Sequence, residues 1–235
     1  MHAIAKAVKN VDEVFVATDH HEIYEFVESF DGKALITNEA CENGTVRAYD
    51  CLKQLPDSVE NIINLQGDAV LTPPYVVQPL VDSLAAETGK VMVTAASKMA
   101  SWAKYQEFLQ AKITSPSSGT TVTIDNKGYA LYFSKNVIPN IRKGSTYWGL
   151  DDIPVYRHIG LYGYKRKMLE EYINLDPTPL EEAEKLEQLR VLEHGYKIKI
   201  VQVDYAGRTP CAIDTPADVV LAEQIIAKEG ELIND

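Results

Sequence analysis

NIINLQGDAVLTPPYVVQPLVDSL, residues 61–84, is the stretch whose reading decides the fold. Residues 61–65 form a short apolar run closed by a turn signal, as a buried strand does. Pro73 and Pro74 then open a helix, since the first turn tolerates proline's missing N–H, and Val76, Val77, Leu80, Val81 and Leu84 recur on one face. Strand, turn and helix of these lengths make a βα unit. Gln66, Gly67 and Asp68 lie between them, at the carboxyl end of the strand, where open parallel sheets bind ligands. Gly67 would let the backbone approach a ligand closely. Asp68 has two readings at this point: the simpler is a turn acid capping the following helix, and the other is a hard oxygen ligand suited to Mg2+.

The same rhythm extends outward. Residues 14–18 predict a strand, and Asp19 caps a helix over 21–29 with Ile23, Phe26, Val27 and Phe30 at helical spacing. A strand over 33–36, a helix over 46–55 announced by Asn43-Gly44, and a strand over 91–96 follow. Such alternation implies an α/β fold: a mostly parallel, Rossmann-like sheet covered on both faces. The middle third departs from it. Residues 120–124 and 129–134 alternate around Asp125-Asn126-Lys127-Gly128, which signals an antiparallel hairpin. Residues 138–154 carry Arg142, Lys143, Tyr147 and Trp148 among glycines and prolines, a composition that reads as a mobile flap or a subunit contact. Residues 120–155 are therefore expected to be an antiparallel insertion and flap at a dimer contact. Beyond them the pattern predicts a strand over 156–162, helices over 166–175 and 180–193, a strand over 197–203 and a helix over 215–228.

A chain of 235 residues, 46% hydrophobic and 24% charged, can bury a full core as one large domain. Its apolar runs fall short of the roughly 18 residues a membrane span requires, and the N-terminus lacks signal-peptide architecture, so the expectation is a cytoplasmic protein away from membranes. With 23 basic against 34 acidic residues, the net charge of -11 argues against nucleic acid. A small anion would need local Arg, Lys or N–H groups, or a bridging cation. Cys41, Cys51 and Cys211 are odd in number and without CxxC spacing, which suits reduced thiols.

Four further constellations stand out. In Ile213-Asp214-Thr215-Pro216-Ala217-Asp218, Thr215 as N-cap, Pro216 at N1 and Asp218 at N3 start a helix, which leaves Asp214 spare as either a turn residue or a cation ligand. Along residues 156–164, His158, Gly160, Tyr162 and Tyr164 share one face of a strand, and polar groups there need partners from the protein or from a hydroxylated substrate. Glu187 and Gln188, within Leu186-Glu187-Gln188-Leu189-Arg190, read either as a solvated helix face or as ligand contacts. Gly44, Thr45 and Arg47 form a glycine turn followed by a guanidinium able to meet an anion or a base.

Taken together, VATD (16–19), NGTVR (43–47), NLQGD (64–68), ALYFSK (130–135) with IPNIR (138–142), YRHIGLYGYKR (156–166), EAEKLEQLRVLEHG (182–195) and IDTPAD (213–218) resemble the 3-deoxy-manno-octulosonate cytidylyltransferase family, the 8-amino branch included. The resemblance covers nearly the whole chain in order and spacing. It implies a nucleotide-diphospho-sugar transferase sheet and transfer of CMP from CTP to a 3-deoxy-octulosonate, releasing pyrophosphate for lipopolysaccharide synthesis. It further implies that Asp68 and Asp214 hold Mg2+, that Gln66 lies between ribose and sugar, and that Gly44, Thr45 and Arg47 lie near the cytidine. Arg142, His158, Tyr162, Glu187 and Gln188 would contact the ulosonate, and a homodimer is implied as well. Where the family reads QGDEP this chain has Gln66-Gly67-Asp68-Ala69-Val70. The family also opens with a strand and a basic Gly-rich loop, so residues 1–235 are expected to be a single cytidylyltransferase-like domain truncated at its N-terminus. The rival expectations are a noncatalytic sugar-binding or dimer-partner protein on the same scaffold, and a sialic-acid-type cytidylyltransferase.

Overall fold

The computed structural model describes residues 1–213 and 215–233. In chain order the elements are α1 (His2–Lys6), β1 (Phe15–Thr18), α2 (His21–Glu28), β2 (Lys33–Ile36), α3 (Gly44–Leu52), β3 (Asn61–Leu65), α4 (Pro74–Ala86), β4 (Met92–Lys98) and α5 (Trp102–Thr114). They continue as β5 (Thr120–Ile124), β6 (Ala130–Ser134), β7 (Tyr156–Lys165), α6 (Arg166–Tyr172), α7 (Pro179–Glu184), α8 (Gln188–Glu193), β8 (Ile198–Gln202) and α9 (Pro216–Glu229). Two compact units result: Met1–Val91 with Gly160–Asn174 and Tyr205–Asp235, and Met92–Ile159 with Leu175–Asp204.

In the first unit β1 and β2 pair in parallel, Phe15 opposite Lys33 through Thr18 opposite Ile36. β3 pairs antiparallel with the second half of β7, Asn61 opposite Lys165 through Leu65 opposite Leu161. The helical periodicity of the opening stretch is realised: Val76, Val77, Leu80 and Leu84 of α4 are all buried. Each such side chain contributes about 1.5–3 kcal/mol relative to exposure. α2 behaves differently. Only its Val27 is buried, whereas Ile23, Phe26 and Phe30 stay exposed, with Phe26 meeting Phe30 edge to face and Phe30 tilting against His2. Asp19, expected as the cap of this helix, does not serve as one: His20 is the N-cap, and its N–H is accepted by Thr18 Oγ1.

In the second unit the strand order is β6-β5-β7-β4-β8. β4 and β8 run parallel, and β5 is antiparallel to both β6 and β7. The hairpin forms where Asp125 places it. One carboxylate oxygen, Oδ1, accepts from the N–H groups of Lys127 and Tyr129, both at 2.8 Å, and Gly128 takes φ 84°, a conformation open to a residue without Cβ. Segment 138–154 is tied down at both ends, because Ile141 and Ile153 belong to a core cluster with Met99, Tyr105 and Val155. Residues 142–150 between them are largely exposed.

One helical expectation needs revision, and α5 has none behind it. The helix expected over 180–193 is two helices, since Lys185 takes a left-handed φ of 54° and ends α7. α5 has no counterpart in the periodicity because Tyr105 is its one fully buried residue, although Ser101 caps it by accepting from Lys104 N at 3.2 Å.

Candidate active site

The turn after β3 is built from backbone hydrogen bonds. Ala69 N donates to Gln66 O at 3.2 Å, while Asp68 O accepts from Val70 N at 2.8 Å and from Ile213 N at 2.9 Å. Asp68 caps no helix: α4 starts at Pro74 with Pro73 as N-cap. The capping reading is therefore not realised, and among the described residues the half-buried Asp68 carboxylate enters no hydrogen bond or ion pair. Asp214 lies outside the described residues. The helix start expected beside it does form, as a capping box in which Thr215 N and Oγ1 are both bonded to Asp218 Oδ2, at 2.7 and 2.8 Å. A Cβ on Gly67 would meet nothing within 4 Å, so the chain's own packing does not require glycine there. Gly160 is different. A Cβ at that position would lie 3.1 Å from Gln66 Oε1, so the missing side chain makes room for the Gln66 amide.

α3 begins on the loop after β2. Asn43 caps it by accepting from Val46 N at 2.9 Å, which places Gly44 at the first helical position and Thr45 at the second. Thr45 is wholly buried, its hydroxyl 2.7 Å from the Tyr164 hydroxyl, so its side chain is committed to the interior. Tyr162, also buried, stacks beside Tyr164 with ring centroids 6.1 Å apart. Arg47 reaches back toward the ends of β1 and β2, where Nη1 donates to Thr37 Oγ1 and Nη2 to Asp19 Oδ2 at 3.1 Å. That hydrogen bond is the main cause holding the Asp19 carboxyl below its ordinary range. Within the first unit, Gln66, Asp68, Gly44, Thr45, Arg47 and Tyr162 thus sit on strand ends, on the α3 N-terminus and on the second half of β7.

In the second unit His158 Nε2 lies 2.9 Å from Thr94 Oγ1, and its ring stands edge-on to Phe133 with centroids 5.0 Å apart. Burial, assisted by the Lys135 charge, pushes its pKa down to about 3. The imidazole is neutral across the physiological range. Gln188 and Arg190 at the start of α8 are buried, so the solvated-face reading of that segment fails. Glu187, the N-cap of α8, is partly buried. Arg142 is exposed in the 142–150 loop, with its backbone oxygen accepting from Ser145 N at 3.0 Å.

Three residues escaped the sequence reading. Asp19 reads locally as a cap, and its position at a strand's carboxyl end is the one signal of a site residue. Thr37 closes a short strand, and Thr94 is one hydroxyl in an apolar run, so neither carries a local signal of its own.

The chain belongs to the cytidylyltransferase family, whose model matches residues 1–199. Among its relatives, the 3-deoxy-manno-octulosonate cytidylyltransferase of Maricaulis maris is 45% identical over 231 residues, covering 98% of this chain and 86% of that protein. The mitochondrial 3-deoxy-manno-octulosonate cytidylyltransferase of Arabidopsis thaliana is 33% identical, covering 96% and 72%. A solved structure of CMP:2-keto-3-deoxy-manno-octonic acid synthetase complexed with CTP superposes with a TM-score of 0.81 at 28% identity, over 97% of this chain and 86% of that one. The α/β fold expected from the sequence is thus the one found. No helix among the described residues is long and apolar enough to cross a membrane.

Proposed function

We propose that this chain transfers CMP from CTP to a 3-deoxy-manno-octulosonate, giving the CMP-sugar used in lipopolysaccharide synthesis. The observation that carries this reading is 45% identity to a 3-deoxy-manno-octulosonate cytidylyltransferase across 98% of the chain. In the reaction the anomeric hydroxyl oxygen bonds to the α-phosphorus of CTP, and the bond from that phosphorus to the α,β-bridging oxygen breaks. Pyrophosphate leaves, and the hydroxyl proton passes to solvent.

The residue roles are those the family resemblance implies. Arg47, with the backbone at Gly44 and Thr45, binds the cytidine part, and Gln66, its amide over Gly160, lies between ribose and sugar. His158, Tyr162, Glu187 and Gln188 bind the ulosonate, and Arg142 meets its carboxylate. A neutral His158 serves as a hydrogen-bonding group for a sugar hydroxyl rather than as a cation. Its Nε2 contact to Thr94 holds the ring.

Asp68 is a hard oxygen donor without another partner among the described residues, which fits Mg2+. Those residues contain no cluster of three or more His, Cys, Asp or Glu able to cage a metal. Mg2+ is usually held by one or two carboxylates plus phosphate oxygens, so the ion would be shared with substrate. Asp68, with Asp214, would hold it. When bound, the ion would offset phosphate charge, which matters in a chain of net charge -11. The homodimer, the contact through residues 120–155 and a cytoplasmic location belong to the same proposal.

Incubation with CTP, Mg2+ and 3-deoxy-manno-octulosonate tests it. Pyrophosphate and CMP-sugar should appear in equal amounts and only with the sugar present. Failure to form CMP-sugar, or equal use of UTP, would overturn the reading.

A further inference from the structure

β1 and β2 deliver their carboxyl ends side by side. Thr37 N donates to Thr18 O at 2.9 Å, extending their ladder by one residue, so Asp19 and Thr37 leave the paired strands together. Thr18 and Thr37 are each only 4% exposed, which makes this end of the strand pair a packed frame. The loop that follows is fixed to α3 as well, with Asn38 N donating to Asp50 Oδ2 at 2.8 Å. Arg47, in the first turns of α3, projects its guanidinium into that frame. One terminal nitrogen is held by the Thr37 hydroxyl and the other by the Asp19 carboxylate. The two side chains of the ion pair are only 26% and 23% exposed, so the pair is screened less than one on the open surface.

A guanidinium is planar and carries five N–H donors in a rigid fork. Two anchors on different terminal nitrogens fix the plane of that fork, and the other N–H groups stay available. Asp19 could instead compete with a ligand for Arg47. The Thr37 anchor argues against competition, because a hydroxyl adds no charge to quench the guanidinium and serves only to orient it.

We infer that Asp19 and Thr37 are positioning residues that hold the Arg47 guanidinium ready for an acceptor on the nucleotide, without touching the nucleotide themselves. This rests on the nucleotide role proposed for Arg47. Preorganisation of this kind lowers the cost of ordering a long side chain on binding.

Calorimetric titration of CTP in the presence of Mg2+ tests the inference on the parent chain and on Arg47→Ala, Asp19→Ala, Asp19→Asn, Thr37→Val, Thr37→Ser and the double variant Asp19→Ala with Arg47→Ala. Arg47→Ala and Asp19→Ala should each weaken CTP binding roughly tenfold, the scale of one charge-assisted contact. The double variant should bind no more weakly than Arg47→Ala, because residues that act through one another are not additive. Thr37→Ser should match the parent, and Thr37→Val should not. If Asp19→Ala does not fold, as judged by its thermal melt, the near-isosteric Asp19→Asn takes its place in both backgrounds. Unchanged or tighter binding on loss of Asp19, or losses that add to that of Arg47→Ala, would refute the positioning role. A parent that binds no CTP, or an Arg47→Ala variant that binds like the parent, would remove instead the nucleotide reading on which it rests.

Discussion

Asp68 has no structural duty for its charge: the turn it occupies is held by backbone groups, and α4 begins six residues later without its help. Replacing it with Asn keeps size and turn geometry while removing the anionic oxygen. Asp68→Asn should therefore melt close to the parent while CMP transfer falls by about 100-fold or more, the scale of a lost metal or oxyanion contact. Steady-state rates beside a thermal melt check this, and an active variant would deny Asp68 its role. His158 makes a pH prediction. Its pKa is about 3 in the folded chain against 6.5 as an ordinary histidine, so the unfolded chain binds a proton that the folded chain refuses. Its contribution to stability is complete above about pH 6.5 and falls as pH drops through the window down to about 3, by about 1.4 kcal/mol per pH unit at most. Urea unfolding at about pH 7.5 and 5.5 should show a loss of roughly 1 kcal/mol that is absent in His158→Gln. The same loss in both proteins would mean that His158 is not held neutral. At this scale, what the sequence showed was the chemistry of residues at element ends, Asp68 after β3 and Arg47 in the first turn of α3 among them. Partners that come from another strand, such as Thr94 beside His158, depend on pairing that no local pattern records.

α7 and α8 show where periodicity stops being informative. Leu186 and Leu189 continue the apolar spacing of the preceding residues, so the segment reads as one helix. In the structure, Glu181 and Arg190 form a buried two-pronged ion pair, Nε to Oε2 and Nη2 to Oε1, both at 2.7 Å. Residues nine apart on one continuous helix would point about 180° away from each other and stand about 13.5 Å apart along the axis. The left-handed residue Lys185 folds the segment back so that the two side chains can meet. Breaking the pair leaves a charge with little access to water. Arg190→Met should cost about 3–5 kcal/mol, read as a lower denaturation midpoint, whereas replacing both partners with apolar residues should recover most of that loss. If the single variant is as stable as the parent, the bend has another origin. By contrast, the β5–β6 hairpin was fully legible, because Asp125 and Gly128 carry its turn chemistry within four residues. α5 was missed for the opposite reason: a helix that fully buries one residue leaves almost no amphipathic trace.

For the molecule as a whole, alternation along the chain gave the α/β class, but the partition into two compact units and the antiparallel pairing of β7 with β3 and β5 arise from contacts distant in sequence. The candidate residues accordingly divide between the units, Gln66, Asp68, Arg47 and Tyr162 in one and Arg142, His158, Glu187 and Gln188 in the other. The second unit also carries the surface proposed as a subunit contact. Trp148 packs edge-on against Trp102 with centroids 5.0 Å apart, yet remains 45% exposed, and Tyr147, Leu150 and Leu131 are 45%, 51% and 63% exposed. Tyr147, Trp148 and Leu150 on the 142–150 loop and Leu131 on β6 are large apolar side chains kept in water, and a stable contact of about 800 Å² per partner would cover several of them. Light scattering on a sizing column should give a dimer at micromolar concentration. Leu150→Asp and Leu131→Lys, each placing a charge in the contact, should shift it toward monomer while leaving the thermal melt at low concentration unchanged. A parent that elutes as a monomer at all concentrations would remove the dimer from the proposal; variants that stay dimeric would move the contact away from residues 120–155.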